Sequence, residues 1–319
     1  MPDVVMSHIF KKLDYVSIQN LRKSCRDLRH FIDDGNYESS ATEVYVRIDF
    51  DLVIFNTKFS SEHEKRIHYQ KQGNINYIIG ENWKGKLPAN YKYMDFACRD
   101  VQLALDSKNS GVLKEFHIDL RSSYEPPDQF LESLRKYLAS RSHLLKVQEF
   151  KMDCNILEHL FMFLPLMDPK KLEYIRIDKL RKVQNFDFSK FLELEQWKLA
   201  KKIMLCDFEM DGFIEKFLHF ETVTVYIKEI TVDMVLLLKE AFLKSPHMQW
   251  YKLLCREFRL MTPLYDLLGA PSVRNGNGLW YFRILGDSEK VVSLNVQSGY
   301  CVSLERIEME KVLEGAKII

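Results

Sequence analysis

The chain has 319 residues, 46% of them hydrophobic and 13% aromatic, enough to bury a sizeable core and to hold more than one domain. Its 46 Lys and Arg against 45 Asp and Glu leave a formal net charge of +1, which gives no general electrostatic reason to expect nucleic acid or an anionic membrane as a partner. No secretory apolar region precedes the first helical pattern, and no apolar run approaches the roughly 18 residues of a membrane span; the nearest, FMFLPLM at 161–167, is broken by Pro165.

The opening stretch reads as three short amphipathic helices. Val5, Ile9 and Leu13 recur every four residues, Ile18, Leu21 and Cys25 continue the spacing, and Leu28, Phe31 and Ile32 form a third group. Pro2 suits a first helical position, Asp14 and Ser17 supply turn and cap chemistry, and Gly35 with Asn36 ends the unit. So short a piece leaves most of its surface in water, so its apolar faces call for a cover, either the rest of the chain or a partner.

From residue 40 the texture alternates, in TEVYVRIDFDLVIFN and KRIHYQKQGNINYIIG with a Gly73-Asn74 turn, and predicts a small antiparallel strand set. ENWKGKLPANYKY is a loop, and DFACRDVQLALDS has helical spacing through Phe96, Val101 and Leu105. A strand phrase then recurs at 113–118, 147–152, 172–177, 200–205, 220–225 and 248–253. Its central residues, Phe116, Phe150, Ile175, Ile203, Val223 and Tyr251, lie about 20 to 34 positions apart, with helical patterns between them. One strand and one helix per repeat predicts a leucine-rich-repeat-like solenoid, and an α/β sheet with crossover helices is the alternative. A period of two turns Phe116/Ile118, Phe150/Met152, Ile175/Ile177 and Val223/Val225 inward. His117, Lys151, Arg176, Met204, Thr224 and Lys252 then form an outward row, either a strip that faces a protein partner or an ordinary solvated face. The tail, GLWYFRILGDSEKVVSLNVQSGYCVSLERIEM, reads as a β-meander that caps the repeats.

The six cysteines, Cys25, Cys98, Cys154, Cys206, Cys255 and Cys301, stand singly without a C-x-x-C pair, and there is no N-x-[ST] sequon. This argues against a zinc site and a disulfide framework and for reduced thiols in the cytosol or nucleus. Nucleotide, hydrolase and zinc-peptidase motifs are absent, and GNG at 276–278 precedes a strand where a dinucleotide loop would follow one. DFEMDG at 207–212 imitates a calcium loop, but its twelfth position is Leu218. Asp49 and Asp51 share a strand face without a third ligand, and His117, His143, His159 and His219 stand alone as structural histidines. No catalytic residue, metal site or cofactor is expected.

These residues also carry a family resemblance. Pro2, Val5, Ile9, Leu13, Ile18, Leu21, the Ser24-Cys25-Arg26 step and Leu28 resemble an F-box, with Met1 where that motif usually has leucine and Leu28 where it often has tryptophan. IHYQKQGN, YMDFACRDVQLALDSKNSGVLKEFHI, KLEYIRID and WYFRI, in that order, resemble the nematode F-box proteins that carry an FTH domain. The resemblance implies a non-catalytic substrate receptor of an SCF-type ubiquitin ligase. Pro2, Val5, Ile9, Leu13, Ile18, Leu21, Cys25 and Leu28 would dock on a Skp adaptor, and through it on a cullin scaffold, while the outward row presents an unknown protein substrate. A repeat scaffold without ligase linkage is the second reading. The expected architecture is α/β: a three-helix F-box at 1–36, a β-rich region at 37–110, a leucine-rich-repeat-like FTH solenoid at 111–262 and a β-meander at 263–319.

Overall fold

The structure is a computed structural model that describes residues 3–10, 18, 21, 24–35, 41–59, 64–106, 111–120, 128–154, 156–179, 189–210, 214–255, 261–297 and 300–319. The chain forms two compact units, Met1–Met152 with Glu158–Lys171, and Asp153–Leu157 with Leu172–Ile319.

In the first unit, helices α1 (Asp3–Phe10) and α2 (Arg26–Gly35) precede β1 (Ala41–Ile48), β2 (Leu52–Phe59), β3 (Glu64–Gln72), β4 (Ile75–Ile79) and β5 (Lys84–Lys86). These five strands form an antiparallel meander. Gly73, at φ +60°, makes the two-residue β3–β4 turn, a conformation that glycine adopts without a Cβ clash. β6 (Leu113–Asp119) joins the other edge of β1 in parallel, pairing Val44 with Phe116, and β7 (Val147–Cys154) follows it in the strand order. Helix α3 (Tyr93–Leu105) buries Tyr93, Ala97, Cys98, Val101, Ala104 and Leu105, one apolar stripe at helical spacing, over this sheet. Helices α4 (Asp128–Ala139) and α5 (Leu157–Phe163) lie in the chain between β6 and the end of the unit.

In the second unit, β8 (Tyr174–Lys179), β9 (Lys202–Met210), β10 (Thr222–Ile227) and β11 (Trp250–Leu254) pair in parallel in chain order. Short helices α6 (Ser189–Glu193) and α7 (Glu195–Leu199), and the longer α8 (Val232–Lys244), connect them, and α9 (Met261–Leu268) follows β11. β12 (Ser272–Arg274), β13 (Asn277–Arg283), β14 (Lys290–Gln297) and β15 (Cys301–Glu308) form an antiparallel array whose last strand pairs with β11, giving the order β8-β9-β10-β11-β15-β14-β13-β12.

Alternation along the strands places the core. Phe116, Ile118, Phe150, Met152, Ile175, Ile177, Val223 and Val225 are each at most 1% exposed. Trp197 of α7 packs its indole against Phe191, Phe217 and Phe220 at centroid distances of 4.8, 5.2 and 4.9 Å. At such separations tilted rings add to the gain from burial. Helix α8 begins at Thr231, whose hydroxyl accepts from the Met234 amide at 3.3 Å. The Arg306 guanidinium donates at the other end to the Phe242 and Ser245 carbonyls, at 2.6 and 3.1 Å. Each end of the helix therefore has orphaned backbone groups met by a side chain: the Met234 amide at the start, the Phe242 and Ser245 carbonyls at the end.

This architecture corrects the expected one. Fifteen strands among the described residues make a large mixed parallel and antiparallel sheet, with nine α-helices, and the repeats do not form the expected strand–helix solenoid. The recurrent phrases do fall on β6 to β11, but β1 bonds to β6 and β15 bonds to β11, so the regions taken as a separate linker and a cap continue the sheets. Strand periodicity states which face is buried; it does not state which neighbour a strand chooses or in which direction. The helix expected around Ile18–Cys25 lies largely outside the described residues.

Candidate functional site

Two surfaces carry the residues singled out by the sequence. At the start of the chain, Phe10, Ile18 and Ile32 are at most 1% exposed and form a local cluster with Met6, Leu21, Leu28 and Phe31 packed around it. The Phe10 and Phe31 rings lie 5.6 Å apart. The segment thus encloses a small core of its own, where the sequence reading called for an outside cover. On α1 the pair Met6 and Phe10 faces this core, and the pair Val5 and Ile9, rotated by about a quarter turn, remains 46% and 42% exposed, beside Val4 at 77%. Those three aliphatics are the unpartnered part of the helix.

The other residues expected at the adaptor surface are distributed differently. Ile18 lies inside the cluster, Leu21 and Leu28 pack on its edge, and Pro2 and Leu13 lie outside the described residues. Cys25 is exposed, and its Sγ accepts from the Leu28 amide at 3.3 Å while the Arg29 amide donates to the Cys25 carbonyl at 3.2 Å. That is the bonding of an N-cap, so the thiol starts α2. Phe10, the residue that anchors the cluster, was missed; its spacing of four from Met6 is the signal that could have found it.

In the first unit, His117 and Lys151 lie in a polar network. The Tyr45 ring stands edge-on to His117 at 4.9 Å, and its hydroxyl donates to buried Asp119 at 2.7 Å. Lys151 donates to Glu115 at 2.5 Å and approaches Glu149 at 3.0 Å. Burial pulls the Lys151 ammonium pKa down, but the two carboxylates outweigh it and hold the pKa above the usual lysine value. Next to this network, Lys114 and Lys58 both bond Glu43 and hold its carboxyl below the ordinary range.

In the second unit, the parallel register puts Arg176 beside Met204, Met204 beside Thr224, and Thr224 beside Lys252; Ser303 of β15 extends the line. This is one straight row across five strands at about 4.8 Å per step. A second row, Tyr174, Lys202, Thr222, Trp250 and Glu305, runs alongside. Tyr174 donates to Met204 Sδ at 3.4 Å and Arg176 bonds Asp178 at 2.5 Å. Burial pushes the Asp178 carboxyl up, but hydrogen bonds with Arg176, the Cys206 thiol and Asp153 leave it below its usual value. Thr224, at 8% exposure, is shielded by its neighbours in the row, which are partly exposed.

No group of three or more metal-ligating side chains occurs among the described residues, and no helix there is long and apolar enough to cross a membrane. The arrangement presents two surfaces: an exposed aliphatic helix stripe and a sheet face of aromatic, thioether, hydroxyl and cationic groups.

Parts of the chain resemble known proteins. The F-box domain model matches residues 1–38 and the FTH domain model matches residues 128–262. A stretch of 186 residues is 27% identical to "F-box A protein 224" of Caenorhabditis elegans, covering 53% of this chain and 47% of that protein. The chain thus spans about half the length of the curated relative it matches. No solved structure matches. The chain thus carries an F-box domain followed by an FTH domain. Together with that relative, the pair of domains supports an F-box/FTH protein of the nematode type.

Proposed function

We propose that this chain is the substrate-receptor subunit of an SCF-type cullin-RING ubiquitin ligase. The observation that carries the proposal is the exposed Val4, Val5 and Ile9 stripe on α1, within the F-box match. In this reading the stripe docks on a Skp adaptor, through which a cullin scaffold is reached, and the sheet face holds a protein substrate. The receptor performs no bond chemistry. It keeps a substrate lysine close to a ubiquitin-loaded enzyme, which turns a bimolecular encounter into one of high effective concentration. The six unbridged cysteines, four of them buried, support a reducing compartment, cytosol or nucleus.

Burying three aliphatic side chains contributes about 1.5–3 kcal/mol each, roughly 5–9 kcal/mol, against an association cost of roughly 4–15 kcal/mol. The stripe alone is marginal, so residues beyond α1 must add to the interface. Co-expression with a Skp adaptor, affinity purification and sizing test the proposal. The intact chain should form a stoichiometric complex, and Ile9→Asp with Val5→Asp should abolish it while the protein stays folded. A folded intact chain that forms no complex would leave the scaffold reading in its place.

A further inference from the structure

The sheet face of the second unit carries a charge pattern that bears on what it binds. Three lysines on the first unit's strands are neutralised in place: Lys58 and Lys114 by Glu43, and Lys151 by Glu115 and Glu149. Lys202 and Lys252, on β9 and β11, pair with no carboxylate among the described residues; adjacent Lys201, by contrast, pairs with Glu173. Of the carboxylates on the same face, Asp178 is held by Arg176, and Glu305 lies beyond Trp250 on β15.

The register fixes the spacing. Lys202 pairs with Thr222, Thr222 with Trp250, and Lys252 lies two residues past Trp250. Two strand spacings of about 4.8 Å and a rise of about 6.6 Å separate the two lysine Cα atoms by about 12 Å. An extended peptide places side chains four residues apart on one side at about 13 Å. Between the lysines lie Thr222 and Thr224, with Met204 and Trp250 to either side and all four partly or wholly covered. Met and Trp are side chains that anchor protein contacts.

We infer that this face binds an extended acidic segment of a protein partner, with carboxylates four residues apart on Lys202 and Lys252 and an apolar side chain between them against Met204 and Trp250. The inference rests on the receptor reading in one respect, that the partner is the ligase's substrate, and the face itself is tested without the adaptor.

The probe is a fluorescein-labelled serine-rich peptide with glutamate at its second and sixth positions and leucine at its fourth, followed by anisotropy on the full chain. Binding should weaken as salt rises. A peptide with lysine in place of glutamate should bind about two- to thirtyfold more weakly, as two lost surface ion pairs imply. Lys202→Glu with Lys252→Glu should reverse that preference, with an unchanged melting temperature. Equal binding of the two peptides to the unaltered protein would overturn the inference whatever the variant does, and so would capture of labelled oligouridylate in place of either peptide. Adaptor co-purification of the same variant separates the two ideas. A retained complex with lost peptide binding supports both, and peptide binding without any adaptor complex supports the docking face while the ligase reading fails.

Discussion

Phe10 and Ile9 are neighbours with opposite surroundings, one buried in the cluster and the other exposed. Truncating Phe10, which is 1% exposed, removes the anchor of a cluster with three buried members among the described residues. A buried Phe→Ala change costs about 3–5 kcal/mol, more than so small a core can absorb. Phe10→Ala should therefore make residues 3–35 sensitive to limited proteolysis while the melting transition of the sheets stays in place; Ile9→Asp should leave the segment protected and remove only adaptor binding. His159 is a second residue with a measurable signature. It is buried, its Nδ1 has no hydrogen-bond partner, and burial pulls its pKa below 6.5 despite Asp128 and Glu158 nearby. The unfolded chain then binds this proton more readily than the native one, so the contribution is intact above pH 6.5 and is lost as pH falls below it. Comparing thermal melts at pH 7.5 and 5.5, His159→Gln should lose less stability on acidification than the unaltered protein. An equal loss would assign the pH dependence to other groups.

At the level of elements, α8 is secured at both ends by different chemistry, and the two devices can be separated. Thr231→Ala removes the cap and should cost about 1 kcal/mol. Arg306→Met leaves the Phe242 carbonyl without its donor and the Ser245 carbonyl with the Met248 amide alone, and should cost about 1–3 kcal/mol. The helix places these sites about 20 Å apart, so the double variant should show the sum of the two losses in denaturant titration. Much of this level was legible in the sequence. The phrases from 113 to 253 coincide with six strands, and alternation alone identified Phe116, Phe150, Ile175 and Val223 as core. The N-terminal surface was harder to read, because α1 has two apolar faces and spacing does not say which of them turns inward. Met6 and Phe10 took the core and left Val5 and Ile9 outside, while Ile18, expected at the adaptor, went into the cluster. The row Arg176, Met204, Thr224 and Lys252 could be listed from the sequence, but the register that makes it straight depends on backbone pairing between distant segments, which a local pattern does not encode.

For the molecule as a whole, the difference between a solenoid and a large mixed sheet has an experimental consequence. A boundary at residue 111, drawn where the repeats begin, would cut β6 away from β1 and expose five paired positions from Glu115 to Asp119. An unpaired edge of that kind templates association with other chains. Residues 111–319 expressed alone should be recovered aggregated, whereas the full chain sizes as a discrete species; a well-behaved fragment would show that β1 is dispensable to β6.

The same pairing sets a timetable for synthesis. Val44 and its partner Phe116 stand about seventy residues apart in the chain, so at roughly 5–20 residues per second a ribosome delivers the second about 4–14 s after the first. During that interval β2 can already cover one side of β1, and the other side waits. The outward residues of the waiting strand, Glu43, Tyr45 and Arg47, alternate charge and hydroxyl over its buried Val44, Val46 and Ile48, and such charged positions discourage an edge from pairing with a neighbouring nascent chain before its own partner emerges.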